Sequence, residues 1–174
     1  MKKTVQTLAL IAMITLAIGA AGAAGTATLY GNSAAKADTE LTIEDMLRYA
    51  VQDEYLARGE YYAIMKKFGS ARPFSNIVQS EEYHVSLLKA AFEDFGIAFP
   101  ADESAKYLVV PGSILEAFKV GVQAEIDNIA MYDRFLASPL LKEKANEQLV
   151  TLFGELRAAS QNHLRAFQNQ VSRY

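Results

Sequence analysis

The sequence predicts an all-α domain: a bundle of four helices, folded as two antiparallel hairpins with a long crossover between them. Three observations predict it. Four segments carry apolar residues at the helical period. The joins inside each pair are short and the middle one is long. The two halves also repeat one another, each pairing a Glu-bearing helix with a His-bearing helix.

The N-terminus comes first. Lys2 and Lys3 precede an apolar run from Val5 to about Gly25, followed by small residues and Ala35-Lys36-Ala37. A positive end, an apolar middle and small-x-small sites are the parts of a secretory signal. Cleavage can fall near Ala21-Gly22-Ala23 or after Ala37. Alternatively the run, at roughly 20 residues, stays as a membrane anchor. Residues 1–37 are therefore assigned to a signal peptide or N-terminal membrane anchor, and residues 38–174 to the folded domain. That domain is expected outside the cytoplasm.

The first helix opens at Thr42, an N-cap with Glu44 and Asp45 in its first turn. Its stripe is Leu47, Val51, Glu54, Ala57, Tyr61, Ile64 and Phe68, and Gly69 ends it. The second opens around Pro73, carries Phe74, Ile77, Glu81, His84, Leu88, Ala91 and Phe95, and stops at Gly96. Residues 97–112 have no helical period; they hold Pro100, Pro111 and the β-like run Tyr107-Leu108-Val109-Val110. This stretch is long enough to travel the length of a bundle. The third helix opens with a Ser113/Glu116 capping box and carries Leu115, Phe118, Val122, Glu125, Ile129, Tyr132 and Leu136. Ser138-Pro139 breaks it and starts the fourth, with Leu149, Leu152, Leu156, Ser160, His163, Phe167 and Gln170.

Composition removes several function classes. The formal net charge is −3, which gives no basic footprint for nucleic acid. The chain has no cysteine, so disulfides, Cys-ligated zinc, iron–sulfur clusters and covalently attached c-type haem are excluded.

The chemistry lies in Glu54, Glu81, His84, Glu125 and His163. All five fall on apolar stripes, and they include both histidines of the chain. Singly, each has an ordinary explanation: a solvated Glu, or a hydrogen-bonded core His. Tyr61 and Tyr132 read as core aromatics. Together, three carboxylates in core stripes are costly without counter-charge. A divalent cation removes that cost, and carboxylate with imidazole suits iron, manganese or zinc. Glu81 and His84 are three apart, hence on one helix face. Glu54 with Tyr61, and Glu125 with Tyr132, share a spacing of seven.

The pattern resembles the ferritin-like superfamily of di-iron carboxylate proteins, which includes rubrerythrins and ferritins. Glu54-x-x-Ala57-Arg58-x-x-Tyr61 is similar to a rubrerythrin first helix. Within the superfamily the chain most resembles a bacterial and archaeal domain-of-unknown-function family. Glu54-Tyr55-Leu56-Ala57-Arg58, Phe74-Ser75-Asn76-Ile77 through Glu81 and His84, and Asn162-His163-Leu164-Arg165-Ala166-Phe167 carry that likeness. It covers roughly Leu41 to Val171. The resemblance implies that Glu54 and His84 hold one metal, that Glu125 and His163 hold the other, and that Glu81 bridges. It also implies a Glu-x-x-His on the fourth helix, where this chain has Ser160-Gln161-Asn162-His163. The second metal is thus expected to be weak, and a mononuclear site stays open.

Two functions follow as expectations. One is an oxidoreductase using one or two iron ions, or iron with manganese, on peroxide, oxygen or ferrous iron. The alternative is a non-catalytic extracytoplasmic module that sequesters iron, manganese or zinc. A haem bundle with His84 and His163 as axial ligands would strand the glutamates. A membrane tether through the N-terminal segment and a homodimer are both left open. No catalytic residue beyond the ligands is assigned.

Overall fold

The computed structural model describes residues 29–174. Among them the protein is all-α: five α-helices and no strand. The helices are α1 (Asn32–Ala37), α2 (Ile43–Phe68), α3 (Phe74–Asp94), α4 (Ile114–Leu136) and α5 (Glu147–Val171). Short 3₁₀ turns lie at Ser104–Lys106, Pro139–Lys142 and Lys144–Asn146.

Local chemistry starts the long helices where expected. The Thr42 hydroxyl accepts the Asp45 amide, and the Asp45 carboxylate accepts the Thr42 amide, each at 3.1 Å. Ser113 and Glu116 form the same reciprocal pair on α4. Such a box pairs amides that the first helical turn would leave open. Gly69 and Gly96, both at positive φ, follow the ends of α2 and α3.

The four long helices pack as α2 with α3 and α4 with α5, with α2 also meeting α4 and α3 meeting α5. The core has two apolar clusters. One joins the first half of α2, the last turns of α3, the second half of α4 and the first half of α5, around Met46, Leu88, Phe92, Phe135, Leu149 and Phe153. The other joins the opposite halves, around Ile64, Phe74, Phe118 and Phe167. Paired halves of opposite chain direction mean that α2 and α3 run antiparallel, as do α4 and α5. Gly121 lets α4 approach α5 closely, because a Cβ there would sit 2.8 Å from the Phe167 ring. The candidate residues lie between the two clusters, in a layer with apolar side chains on both sides.

The long connection between α3 and α4 runs along α2. Tyr55 donates to the Pro100 carbonyl at 3.3 Å, and Arg58 pairs with Asp102 at 2.8 Å. Further on, Lys67 donates to the Pro111 carbonyl at 2.6 Å. The β-like run at Tyr107–Val110 forms no strand. It has no neighbouring strand to pair with among the described residues, and Val109 is exposed.

Two expectations are corrected. The fourth long helix begins at Glu147, not at Ser138-Pro139. Pro139 opens a 3₁₀ turn instead, and the Asn146 side chain donates to the Leu140 carbonyl at 2.8 Å, which folds the connection back before α5 starts. The packed region also extends upstream of Asp38. Helix α1, Asn32–Ala37, docks on α2 and α4, with Ala35 in the core. Small residues there looked like a processing site, and the same small side chains permit the close docking. The apolar run Val5–Gly25, expected as signal or anchor, lies outside the described residues. Among the described residues, no helix is long and apolar enough to cross a membrane.

Candidate metal centre

The five residues singled out by pattern converge in the middle layer. Glu54 comes from α2, Glu81 and His84 from α3, Glu125 from α4 and His163 from α5, and all are buried. Their burial follows from register, because each takes an apolar-stripe position on its helix.

Glu81 is the shared member. Its Oε2 lies 2.8 Å from His84 Nδ1, and its Oε1 lies 3.2 Å from His163 Nδ1. Glu54 Oε2 approaches His84 Nδ1 at 3.1 Å, and Glu125 Oε1 approaches His163 Nδ1 at 3.5 Å. The imidazole rings stand 5.9 Å apart at 27°, one on each side of Glu81. Two groups result: Glu54–Glu81–His84 and Glu81–Glu125–His163, each with ligand-type atoms within 4.8 Å of one another. A shell of ~2.1 Å bonds spans about 4.2 Å across the ion. Side-chain shifts of a fraction of an ångström would close either group on a cation.

The tyrosines cross between halves. Tyr132 of α4 donates to Glu54 Oε1 at 2.8 Å, and Tyr61 of α2 donates to Glu125 Oε1 at 3.0 Å. Each tyrosine thus fixes the glutamate of the opposite helix. The shared spacing of seven from Glu to Tyr was visible in sequence. That each Tyr would reach across, rather than along its own helix, was not. A second group that pattern did not single out is Ser80, whose Oγ lies 3.1 Å from His84 Nε2. It precedes His84 by four residues, one helical turn. His163 has Ala159 at the equivalent place.

Electrostatics reflect the crowding. Burial works against charge on His84 and His163, but the carboxylates beside them outweigh it and raise both to about 10. Burial raises Glu54 to about 7, with the Glu81 charge adding to it and His84 opposing. For Glu81 burial also pushes upward, but hydrogen bonds from His163 and His84 prevail and hold it below its usual range. Burial, with Glu125 and Glu81 nearby, keeps the Tyr61 hydroxyl protonated; burial with Glu54 does the same for Tyr132.

The donor set fits a cation. Protonated, each imidazole donates Nδ1–H into the carboxylates; neutral, the same nitrogen turns a lone pair to the same place. Glu125 Oε2 is buried with no hydrogen-bond partner among the described residues. An unpaired buried carboxylate oxygen is costly, and a bound cation would satisfy it. Ser160 is buried on α5, three residues before His163. It leaves this half with two carboxylates, one of them shared.

The comparisons with known proteins agree in their extent. An uncharacterised protein of Methanocaldococcus jannaschii is 28% identical over 138 residues, 71% of each chain. No solved structure matches significantly. The family model described as "Uncharacterized protein domain (DUF2202)" matches residues 43–174, so the chain belongs to that family.

Proposed function

We propose that this protein is an exported, ferritin-like four-helix bundle that holds one or two transition-metal ions, with iron the best match, and acts as an oxidoreductase on peroxide or oxygen. The observation that carries the proposal is Glu81. It offers one oxygen to each histidine, between two further buried carboxylates. Such an arrangement suits two cations sharing a bridge. Glu54 and His84 would hold one ion, and Glu125 and His163 the other. Iron there would supply two one-electron oxidations for each hydrogen peroxide, which with two protons becomes two waters.

The chain's own groups do the rest. Tyr132 and Tyr61 hold one oxygen of Glu54 and of Glu125, leaving the other oxygen to face the centre. The phenylalanine clusters above and below exclude water. His84 and His163 release a proton from Nδ1 when they turn a lone pair inward. The two tyrosines are also the nearest redox-capable side chains, placed to pass an electron and a proton together. With no cysteine in the chain, reductant is supplied from outside it.

A second reading, sequestration without turnover, is supported by Ser160, which puts a neutral side chain where the resemblance implies a carboxylate. Elemental analysis of protein purified without chelators, followed by stopped-flow oxidation of added ferrous ion by peroxide, separates the two. The oxidoreductase reading expects one to two irons per chain and oxidation faster than for free ferrous ion. Retained metal without acceleration favours sequestration. Equal metal in the parent and in a variant with all five ligands changed to alanine overturns both.

A further inference from the structure

We propose that the N-terminal strap, residues 29–38, is a brace between α2 and α4 that positions Glu54, with Asn32 as the residue that locks it. The proposal rests on the metal-site reading above and goes beyond it, because none of the strap residues is a ligand.

The strap does not stand alone. A helix as short as the six residues of α1 is unstable in isolation, so docking must hold it. On the α2 side, Asn32 donates to Asp53 Oδ1 twice, from its backbone amide at 2.9 Å and its side-chain amide at 2.7 Å. The Gly31 amide donates to Gln52 Oε1 at 3.2 Å, and Tyr49 donates to Asp38 Oδ2 at 2.9 Å. On the α4 side, the Arg134 guanidinium donates to the carbonyls of Ala35 and Asp38. Gly31 permits the approach. Its φ is +59°, and a Cβ there would lie 2.6 Å from Asp53 Oδ1.

The level of these ties gives them their meaning. Asp53 immediately precedes Glu54, and Arg134 follows Tyr132 by two residues. Between the two anchor points lies the Tyr132–Glu54 hydrogen bond of 2.8 Å. The strap therefore sets the α2–α4 spacing at the first group of ligands. The matching Tyr61–Glu125 bond lies seven residues away along α2, about 10 Å. There the long connection is tied to α2 alone, through Val109 to Glu60 and Lys67 to Pro111.

The polar links act together with packing, since Ala35 lies in the core and Tyr30 stacks on Tyr107 at 4.4 Å. A cavity of about 620 Å³ separates part of the strap from α4, lined among others by Lys36, Asp127 and Arg134. Asp53 is buried and receives its hydrogen bonds from Asn32. Asn32→Ala removes the shorter of these two bonds and leaves Asp53 to the backbone amide alone, which loosens the α2 turn that carries Glu54. A point change thus releases the brace without removing core.

Full-length Asn32→Ala and Gly31→Ala test this, with Lys36→Ala as a strap variant that leaves the clamp intact. Each is titrated with cobaltous ion by visible absorbance, and the binding steps are assigned with Glu54→Ala and Glu125→Ala. Amide hydrogen exchange is followed without metal. We expect the Glu54 step to weaken about tenfold or more, as for loss of a partner behind a metal ligand. The Glu125 step and Lys36→Ala should match the parent. Exchange should quicken around residues 50–57 and 130–134 only. Equal weakening of both steps means general destabilisation and overturns the proposal, as do curves and exchange identical to the parent. If the parent binds no cobalt, the metal reading has failed separately. The exchange pattern then decides the brace: quickening confined to those two stretches supports it, and an unchanged pattern overturns it.

Discussion

The two groups of ligands share Glu81 and differ in almost everything around it. In the first, His84 is held at both ring nitrogens, by Glu81 and Glu54 on Nδ1 and by Ser80 on Nε2. Both Glu54 oxygens have partners, Tyr132 and His84. In the second, His163 approaches its carboxylates at 3.2 and 3.5 Å, Ala159 replaces the serine, and Glu125 Oε2 has no partner. The halves share a plan but not a state of completion. The first is preorganised for a cation; the second has an acceptor waiting for one, and Ser160 beside it where the resemblance implies a further carboxylate. Ligand groups fixed by outer partners bind more tightly, so the halves should fill in order.

Removing the shared member gives the largest effect. Glu81→Ala should abolish tight binding in both halves, with affinity falling by more than the roughly 100-fold that loss of an outer partner can cost. It also leaves two imidazolium groups without their common anion. Metal-free stability should drop by about 3–5 kcal/mol, as for other broken buried pairs. Isothermal titration and urea unfolding measure the two losses. One retained tight site would show that Glu81 does not belong to both groups.

Acidity comes next, and it moves binding and stability in opposite directions. His84 and His163 are raised from 6.5 to about 10, so their stabilisation is fully present below pH 6.5 and is lost as pH rises through about 10. Glu54 and Asp53 are raised as well. Their contributions are present below 4.5 and 3.8 and are lost as pH rises through about 7 and about 8. Glu81 is lowered, and its contribution is lost only as pH falls. Metal-free protein should therefore become less stable from about pH 7 to 10. Metal affinity should rise over the same range, because each Nδ1 must release its proton to bind. Thermal melts and metal titrations across that window test both signs. A metal-free melting temperature that rises with pH there would show that the histidines are not paired as described.

How much of this was visible in sequence divides along the same line. Residues whose place is set by helical period were legible: all five ligand-type residues, the starts of α2 and α4, and the ends of α2 and α3. Period fixes the face a side chain takes, and in a helical core that face decides burial. What depends on contact between distant segments was not legible. The strap was set aside because Ala35-Lys36-Ala37 reads as a processing site, and nothing local announces that Asn32 will meet Asp53. The delay of α5 to Glu147 turns on Asn146 folding back to Leu140, a bond no periodicity encodes. Ser80 was passed over because a helical serine beside a glutamate is ordinary until the histidine ring is seen to reach it.

Completing the second half should sharpen the contrast by removing it. Ser160→Glu supplies the missing carboxylate one turn before His163. The metal-to-chain ratio should move toward two, with a second saturable step in a ferrous or cobaltous titration. Ser160 is fully enclosed, so the larger side chain should cost the metal-free protein about 1–3 kcal/mol from overpacking. Unchanged titration with unchanged stability would place residue 160 away from the centre.

The smallest effect is also the most specific. Ser80→Ala removes the hydroxyl behind His84 and touches no carboxylate, and a neutral hydrogen bond of this kind is worth about 1 kcal/mol. That predicts a weakening of the Glu54–His84 half of roughly fivefold to tenfold, with the other half unmoved. Ala159→Ser should act in reverse. It places a hydroxyl four residues before His163, as Ser80 stands before His84, at a half-buried position. The Glu125–His163 half should tighten by a similar factor. With both changes in one chain, the difference between the halves should narrow from both sides. If Ala159→Ser leaves the second step where it was, the asymmetry belongs to the missing carboxylate at Ser160 alone, and the hydroxyl behind His84 only holds a ring that its carboxylates already hold.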